Sequence, residues 1–465
     1  MKRRAKTRLW VAAIILSMAL IAVGVAGDRA ARVLSGHVAK VVCSAVFLSG
    51  REAGQVMGEE LAQYGFMATH VYRENASVSA SLFGLAGRQA IYRPGLGCTL
   101  VIGTTGAALR AEVPDISRPE PPVAGIWPDG DVTRDGIWPG NVDREKLDEA
   151  VDRAFQEAVP GMDRRTRAIV VLYDGEIVAE RYAPGITRET RLAGWSMTKS
   201  VTGALVGTLV GDGRLDLEQP APVPEWSDPD DPRHAITLDQ LMRMSSGLEF
   251  DEDYDDPFSD VLQMLYGEAD PARYAARLPL VTAPGEAWSY SSGTTNIISR
   301  IIRDAVGGSL TDYLTFPRRA LFDRIGMKSA VMEPSASGYL VGSSFMYATA
   351  RDWARFGLLY LQDGVWAGER ILPAGWVDYA RTPTPGAPRG EYGAQWWLNA
   401  GAKDDPSDRW FPDVPRDAYF CQGFEGQFVT VIPSRKLVIV RMGASVPFEA
   451  WDNNAFVAGI VAAVK

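Results

Sequence analysis

Hydrophobic positions along this chain change period several times, and the changes mark out its elements. After an uncharged apolar run over 9–27, short apolar stretches at 39–48, 89–93 and 98–104, broken by Gly and Pro, predict a small mixed α/β unit within 28–110. The stretch 114–141 is rich in Pro, Asp and Gly and echoes Gly125-Ile-Trp-Pro128 as Gly136-Ile-Trp-Pro139. Two copies are too few for a repeat architecture, so 111–164 reads as a linker, pinned to the surface by its tryptophans, with a helix at its end. Leu147, Ala150, Val151, Ala154 and Phe155 recur at helical spacing and place that helix over 143–158. The runs 166–173 and 176–182 then predict two strands joined at Asp174-Gly175, a strong hairpin signal.

Downstream the period becomes helical. From Ser196 the chain runs through Val201, Leu205, Val206, Leu209 and Val210 to Asp212-Gly213, apolar on most sides, which predicts a central buried helix ended by glycine. Thr237 and Gln240 make a capping box, and Ile236 with Leu241 a hydrophobic staple, for a helix ending near Ser246-Gly247. Pro284-Gly285 predicts a turn, and Tyr290-Ser-Ser-Gly293 leads into a helix carrying Ile297, Ile298, Ile301 and Ile302. A further helix over 350–362 has Trp353, Phe356, Leu359 and Tyr360 in register. Strands return at 427–432 and 436–442, and 449–464 reads as a closing helix. Strands at both ends of 165–465 with a helical middle predict an α+β domain, its antiparallel sheet assembled from the two ends and flanked by helices.

Composition is that of a globular protein, with 46% hydrophobic and 23% charged residues. Charge gives the chain an address. Lys2, Arg3, Arg4, Lys6 and Arg8 precede the 19 uncharged residues of 9–27, the pattern of an export signal whose basic end stays inside. Gly24-Val25-Ala26 offers a small-x-small cleavage site, while the run just reaches membrane-spanning length, so 1–27 reads as a signal peptide or a membrane anchor. The body is expected beyond the membrane, periplasmic or otherwise extracytoplasmic. Without those five positive charges the formal net charge falls from −9 to −14, which argues against nucleic acid as a partner. Cysteines number 3; outside the cytoplasm Cys43 and Cys98 are expected to pair and leave Cys421 free, the alternative being three small buried apolar residues.

The chemistry centres on Ser196-Met-Thr-Lys199. Residues three apart share a helix face, so near a helix start the Ser196 hydroxyl and Lys199 amine project together, beside backbone N–H groups without intrahelical acceptors. That set suits acyl transfer: a nucleophile, an amine to take its proton, and a positive helix end for an oxyanion. The usual base is missing. His37 and His70 lie in the N-terminal unit and His234 in an Asp/Pro-rich loop; no G-x-S-x-G elbow and no zinc-binding spacing is present, and neither cofactor nor metal is expected.

Ser196-Met-Thr-Lys199, then Tyr290-Ser291-Ser292, then Gly423-Phe-Glu-Gly-Gln427 before a late strand resemble, in order and spacing, the serine β-lactamase and penicillin-binding-protein superfamily. The nearest likeness is to its class C-like branch, which includes 6-aminohexanoate-dimer hydrolases, esterases and D,D-peptidases. The resemblance covers about 165–465 and implies a β-lactamase-like fold with a mainly helical subdomain. It implies an acyl-enzyme on Ser196, with Lys199 and Tyr290 as the proton-transfer pair and Ser292 as the third polar member. The oxyanion hole would use the N–H groups of Ser196 and Gln427. In place of the Lys-Thr-Gly of many relatives stands Phe424-Glu425-Gly426, so the cation that meets a substrate carboxylate is missing. Trp195, Tyr347 and Trp396-Trp397 are candidate cleft walls, and Asp251-Glu252-Asp253 a candidate rim that attracts an amine. The function expected is an exported serine hydrolase of a small or peptide-like amide or ester. The alternatives are a β-lactamase or D,D-peptidase with the same machinery, and a ligand sensor that acylates and stalls.

Overall fold

The computed structural model describes residues 2–112, 125–133, 138–157 and 159–465, with side chains from Gly24 onward. A single helix, α1 (Lys2–Phe47), passes without a break from the apolar run into the folded body. Its Gly24–Phe47 part is long and apolar enough to cross a membrane, yet 72% of its most apolar 18-residue stretch is buried in the protein, as in a core helix. It packs on an antiparallel sheet of β1 (Ala68–Tyr72), β2 (Ser77–Leu82), β3 (Leu85–Arg93) and β4 (Gly97–Leu100), in that order. A disulfide joins Cys43 of α1 to Cys98 of β4, with Cα atoms 6.1 Å apart.

Two polar seams tie this extension to the rest of the chain. Glu333, wholly buried, takes the Lys40 ammonium, the Ser44 hydroxyl at 2.9 Å and the Cys98 amide at 2.5 Å. On the other side Arg167 and Arg51 share the carboxylates of Glu59 and Glu60. Much of 114–141 lies outside the described residues. Of its tryptophans, Trp127 is buried, donates to the Gly175 carbonyl at 2.8 Å and lies under the Arg355 guanidinium; Trp138 donates to Val142.

The larger body is built on a six-stranded antiparallel sheet. After helix α2 (Arg144–Ala154), capped by Asp143, come β5 (Ala168–Tyr173) and β6 (Glu176–Tyr182), with Asp174 and Gly175 both at positive φ as a type I′ hairpin requires. Helix α3 (Met197–Gly211) follows, buried on nearly every side, and then the short α4 (Leu238–Met242), whose capping box forms as its sequence predicts. That helix stops short of Ser246-Gly247 because Met244 turns left-handed at φ 60°. Helices α5 (Ser292–Val306) and α6 (Ala350–Leu361) complete the middle; β7 (Trp397–Leu398), β8 (Tyr419–Gly423), β9 (Gln427–Ile432), β10 (Leu437–Met442) and helix α7 (Asn453–Ala462) close the chain. The sheet order β7-β8-β9-β10-β5-β6 brings both ends of the domain together, with Ile169 paired to Arg441.

Each sheet face carries its own core. Trp353, Phe356, Leu359 and Tyr360 of α6 are buried on one face with Val429, Val431 and Val438; Leu147 and Val151 of α2 meet Ile169, Val171, Phe456 and Ile460 on the other. This is the β-lactamase-like α+β architecture, and its consequence is positional. The apolar α3 is clamped between sheet and helical region, which fixes whatever stands at its N-terminus.

Candidate active site

Ser196 stands at that N-terminus as the capping residue, and the chain reaches it through a tight approach. Leu192 and Ala193 pair with Ala348 and Tyr347, and the Gly194 amide bonds the Met346 carbonyl at 2.8 Å. Glycine is required at 194, where an added Cβ would lie 2.3 Å from the Trp353 ring. Trp195 then adopts φ +48°, an uncommon state for a bulky residue and one that concentrates at functional sites. The amides of Met197, Thr198 and Lys199 are taken by the carbonyls of Gly194, Trp195 and Ser196, and the Ser196 amide stays ahead of that first turn.

Lys199 Nζ, 1% exposed, sits 2.9 Å from Ser196 Oγ, 2.9 Å from Ser292 Oγ and 3.2 Å from the Ser343 carbonyl. Burial pushes its pKa down to about 8, against the opposing pull of the Glu252 charge. A usable fraction of neutral amine is therefore present near neutral pH, within reach of the hydroxyl it would deprotonate.

Ser292 opens α5, where Ser291 caps the helix by accepting the Thr294 amide at 3.1 Å. Its hydroxyl accepts from Lys199 and donates to Glu252 Oε1 at 2.5 Å, and its amide bonds Oε2 at 2.7 Å. Lys199 and Glu252 are thus bridged through one hydroxyl. Burial raises the Glu252 carboxyl, while Lys199 and the two Ser292 hydrogen bonds oppose the rise.

Tyr290 lays its ring 4.7 Å from Lys199 Nζ, stacks on Trp397 at 5.1 Å and lines the cleft with Ser196. Tyr254, which sequence reasoning missed, stacks on Phe424 at 5.0 Å and lines the cleft beside Ser196 and Glu252. Burial holds both phenols well above their ordinary pKa, so they are donors rather than phenolate bases at neutral pH. None of the three histidines enters the site: His37 is buried against Tyr266, His70 lies on β1, and His234 bonds the Trp226 carbonyl. Among the described residues no group of three or more His, Cys, Asp or Glu is arranged to hold a metal ion.

The cleft over Ser196, about 310 Å³, is lined by Glu252, Tyr254, Tyr290, Trp397, Gln422, Gly423, Phe424 and Phe448. This corrects the reading of the third motif. Gly423 pairs with Gln427 to close the β8–β9 hairpin, and between them Glu425 takes φ 61°, a left-handed turn with its side chain behind the hairpin. Glu425 and Gln427 line a separate, smaller cavity with Arg51, Glu60, Arg167, Trp195 and Tyr347. There burial lifts the Glu425 pKa to about 8, with Glu60 adding to the rise and Arg167 opposing it. Gly426 rests on Arg441, whose guanidinium donates to its carbonyl at 2.6 Å.

Of the residues expected to bind substrate, Phe424 therefore meets the cleft; Ser292, wholly buried, lies beneath it against Lys199, and Trp195, Tyr347, Glu425 and Gly426 support it from behind. Trp397 is a wall, and Trp396 is core. Glu252 does not sit on a solvated loop: the Asp251 amide donates to Asp260 Oδ2 at 2.9 Å and its carbonyl accepts from the Val261 amide at 3.0 Å, which closes the loop and turns Glu252 inward. An acidic run with one aromatic has no periodicity from which such burial is readable.

The fold and the serine–lysine centre define a serine hydrolase. The chain belongs to the Beta-lactamase family, whose model matches residues 151–461. It is 27% identical over 320 residues to 6-aminohexanoate-dimer hydrolase of Paenarthrobacter ureafaciens, a match that spans 63% of this chain and 77% of the relative. Among solved structures, EstCE1, described as a hydrolase with promiscuous acyltransferase activity, aligns with TM-score 0.55 at 14% identity, over 69% of this chain and 99% of its own. A penicillin-binding-protein homologue from Caulobacter crescentus aligns with TM-score 0.52 at 17% identity, over 71% and 99%. At such identities these two speak for the fold alone.

Proposed function

We propose that the protein cleaves a small amide or ester lacking an obligatory carboxylate, through an acyl-enzyme on Ser196. The observation that carries this reading is Lys199 Nζ placed 2.9 Å from both Ser196 Oγ and Ser292 Oγ with no carboxylate in contact. Neutral Lys199 takes the Ser196 proton as Oγ attacks the substrate carbonyl, and the C–O bond forms while the carbonyl becomes an oxyanion. Tyr290, which lines the cleft with Ser196 and lies against Lys199, passes a proton to the leaving amine or alkoxide as the scissile bond breaks, and is replenished from protonated Lys199. Water then repeats the sequence on the acyl group and frees Ser196. Ser292 and Glu252 hold the lysine in place.

The oxyanion donors we assign are the amides of Ser196 and Phe424, the latter in place of Gln427, because Phe424 and not Gln427 lines the cleft. The walls are largely aromatic, and neither arginine nor lysine is among the lining residues, so a carboxylate on the substrate meets no cation there. The 6-aminohexanoate-dimer hydrolase relative, at 27% identity, supports an amide among the substrates. Export supports the same reading: the basic end, the uncharged 9–27 and a disulfide suit a body outside the cytoplasm, held by or cleaved from its leader.

The test compares purified protein on chromogenic short-chain esters, short amides, benzylpenicillin and a cephalosporin, with fluorophosphonate labelling as a readout of Ser196. Neutral esters or amides are expected to be turned over more efficiently than either β-lactam. A faster β-lactam rate than on every ester and amide would replace this reading with a β-lactamase or D,D-peptidase, and an acyl adduct that persists after substrate is removed would replace it with a sensor.

A further inference from the structure

The hairpin between β2 and β3 carries Phe83 and Leu85 at its tip, 79% and 73% exposed. Phe66, just before β1, is 54% exposed and faces Phe83 with ring centroids 6.4 Å apart. The register explains the meeting: Ala68 pairs with Ser81, which leaves Phe66 alongside the turn. Large apolar side chains grouped in this way mark an interaction surface, and nothing among the described residues covers them.

Contacts along α1 fix where that tip points. At one end of the pair, Phe47 stacks on Tyr92 of β3, and Cys43 is bridged to Cys98, the register partner of Tyr92. At the other end Arg88 of β3 lies within electrostatic reach of Asp28 and Arg32. Strand β3 therefore runs in the same direction as α1, and the turn before it projects toward the end from which α1 leads back into the uncharged 9–27. Val25, 65% exposed, is at that end too. Arg32 and Arg88 stand just behind the tip, where long cationic side chains meet lipid phosphates while apolar neighbours enter the acyl boundary.

We propose that Phe83 and Leu85, with Phe66 beside them, insert into the interfacial layer of the bilayer that holds residues 9–27, making the extension a second membrane contact. The proposal rests on 9–27 as a membrane segment and is independent of the hydrolase reading. Lipid is the occupant because the helix beside the tip continues into 19 residues without a charge. With two contacts the body is held at a set height and tilt instead of swinging from one helix.

Site-directed spin labelling of the full chain in phosphatidylcholine vesicles tests this. Nitroxides are placed at Phe83→Cys and Leu85→Cys, with Lys403→Cys, on an exposed loop of the catalytic body, as the aqueous reference. Background labelling is low because Cys421 is buried and the other cysteines are bridged. Collisions with oxygen, which concentrates in lipid, are expected to dominate at 83 and 85, and collisions with a water-soluble nickel chelate to fall several-fold below those at 403. Labels at 83 and 85 as open to nickel as that at 403 in vesicle-bound chain overturn the proposal. So do labels shielded from both reagents, the mark of copies pairing through the patch, or a full chain that does not bind vesicles.

Discussion

Two lysines in this molecule are almost equally buried, and each has a serine hydroxyl within hydrogen-bond distance. Lys40, in the N-terminal extension, lies 3.1 Å from Ser44 Oγ and touches the Glu333 carboxylate; Lys199, in the catalytic body, lies 2.9 Å from Ser196 Oγ and touches hydroxyls and a carbonyl only. Burial lowers both pKa values, but Lys40 cannot give up its proton without stranding a buried carboxylate. Glu252 stands one hydroxyl away from Lys199, near enough to hold charge in the site and too far to claim the proton. A serine–lysine contact is therefore not by itself a catalytic centre. What separates the two is the place of the carboxylate and the access of the serine to a cleft.

The sharpest way to break the comparison is to remove each pair. Ser196→Ala should abolish turnover and fluorophosphonate labelling with the unfolding midpoint nearly unchanged, and labelling at the wild-type rate in that variant would move the nucleophile elsewhere. Lys199→Ala and Tyr290→Phe should each lower kcat by about two orders of magnitude or more, the usual scale of a lost proton-transfer group. Lys40→Met should leave the kcat of folded enzyme alone and cost about 3 to 5 kcal/mol in urea unfolding, since it leaves Glu333 unpaired in the interior. Adding Glu333→Leu should return much of that loss.

Titration sharpens the comparison further. The proposed mechanism needs neutral Lys199, so under it kcat/KM should climb with pH and level off above about 8. Glu252→Gln removes the charge that raises the lysine's pKa, so its rising limb should move to lower pH; a limb that stays put would exclude Glu252 from the electrostatics of the site. The same depressed pKa means that the unfolded chain binds the proton more tightly, so this group's contribution to stability rises with pH from about 8 toward 10.5. The smallest expected effect is Phe424→Lys, which places a cation in the aromatic wall. It should narrow the gap between benzylpenicillin and a neutral ester by about tenfold, the worth of one charge-assisted contact.

Periodic patterns and local capping chemistry are legible in the sequence. The hairpin at Asp174-Gly175, the capping box at Thr237, the central helix from Ser196 and the late strands are local features, and each lies within a residue or two of its expected place. The site was legible only where its spacing is local to a helix, as in Ser196 and Lys199. Tyr254 and the inward turn of Glu252 depend on Asp251 and Asp260 closing a loop, which no periodicity records. The facing of the third motif was not readable, because a hairpin turn with a left-handed Glu425 interrupts the strand there; Phe424 meets the cleft and Glu425 turns behind it. The docking of the extension through Lys40 and Glu333, 293 residues apart in the chain, was beyond any local pattern.

The close approach of two glycines has a bearing on how this enzyme can be reshaped. A Cβ at Gly423 would come within 2.2 Å of the Gly194 carbonyl oxygen, so at this point the chain entering the nucleophile and the hairpin that walls the cleft meet backbone to backbone. A side chain at Gly423 would pry that seam apart and one at Gly194 would collide with the Trp353 ring, so libraries that randomise either should yield few active clones. Phe424 and Phe448, each 39% exposed, form the adjustable side of the opening. Breeding for new acyl groups has its freedom there, while the seam keeps the reacting atoms in register.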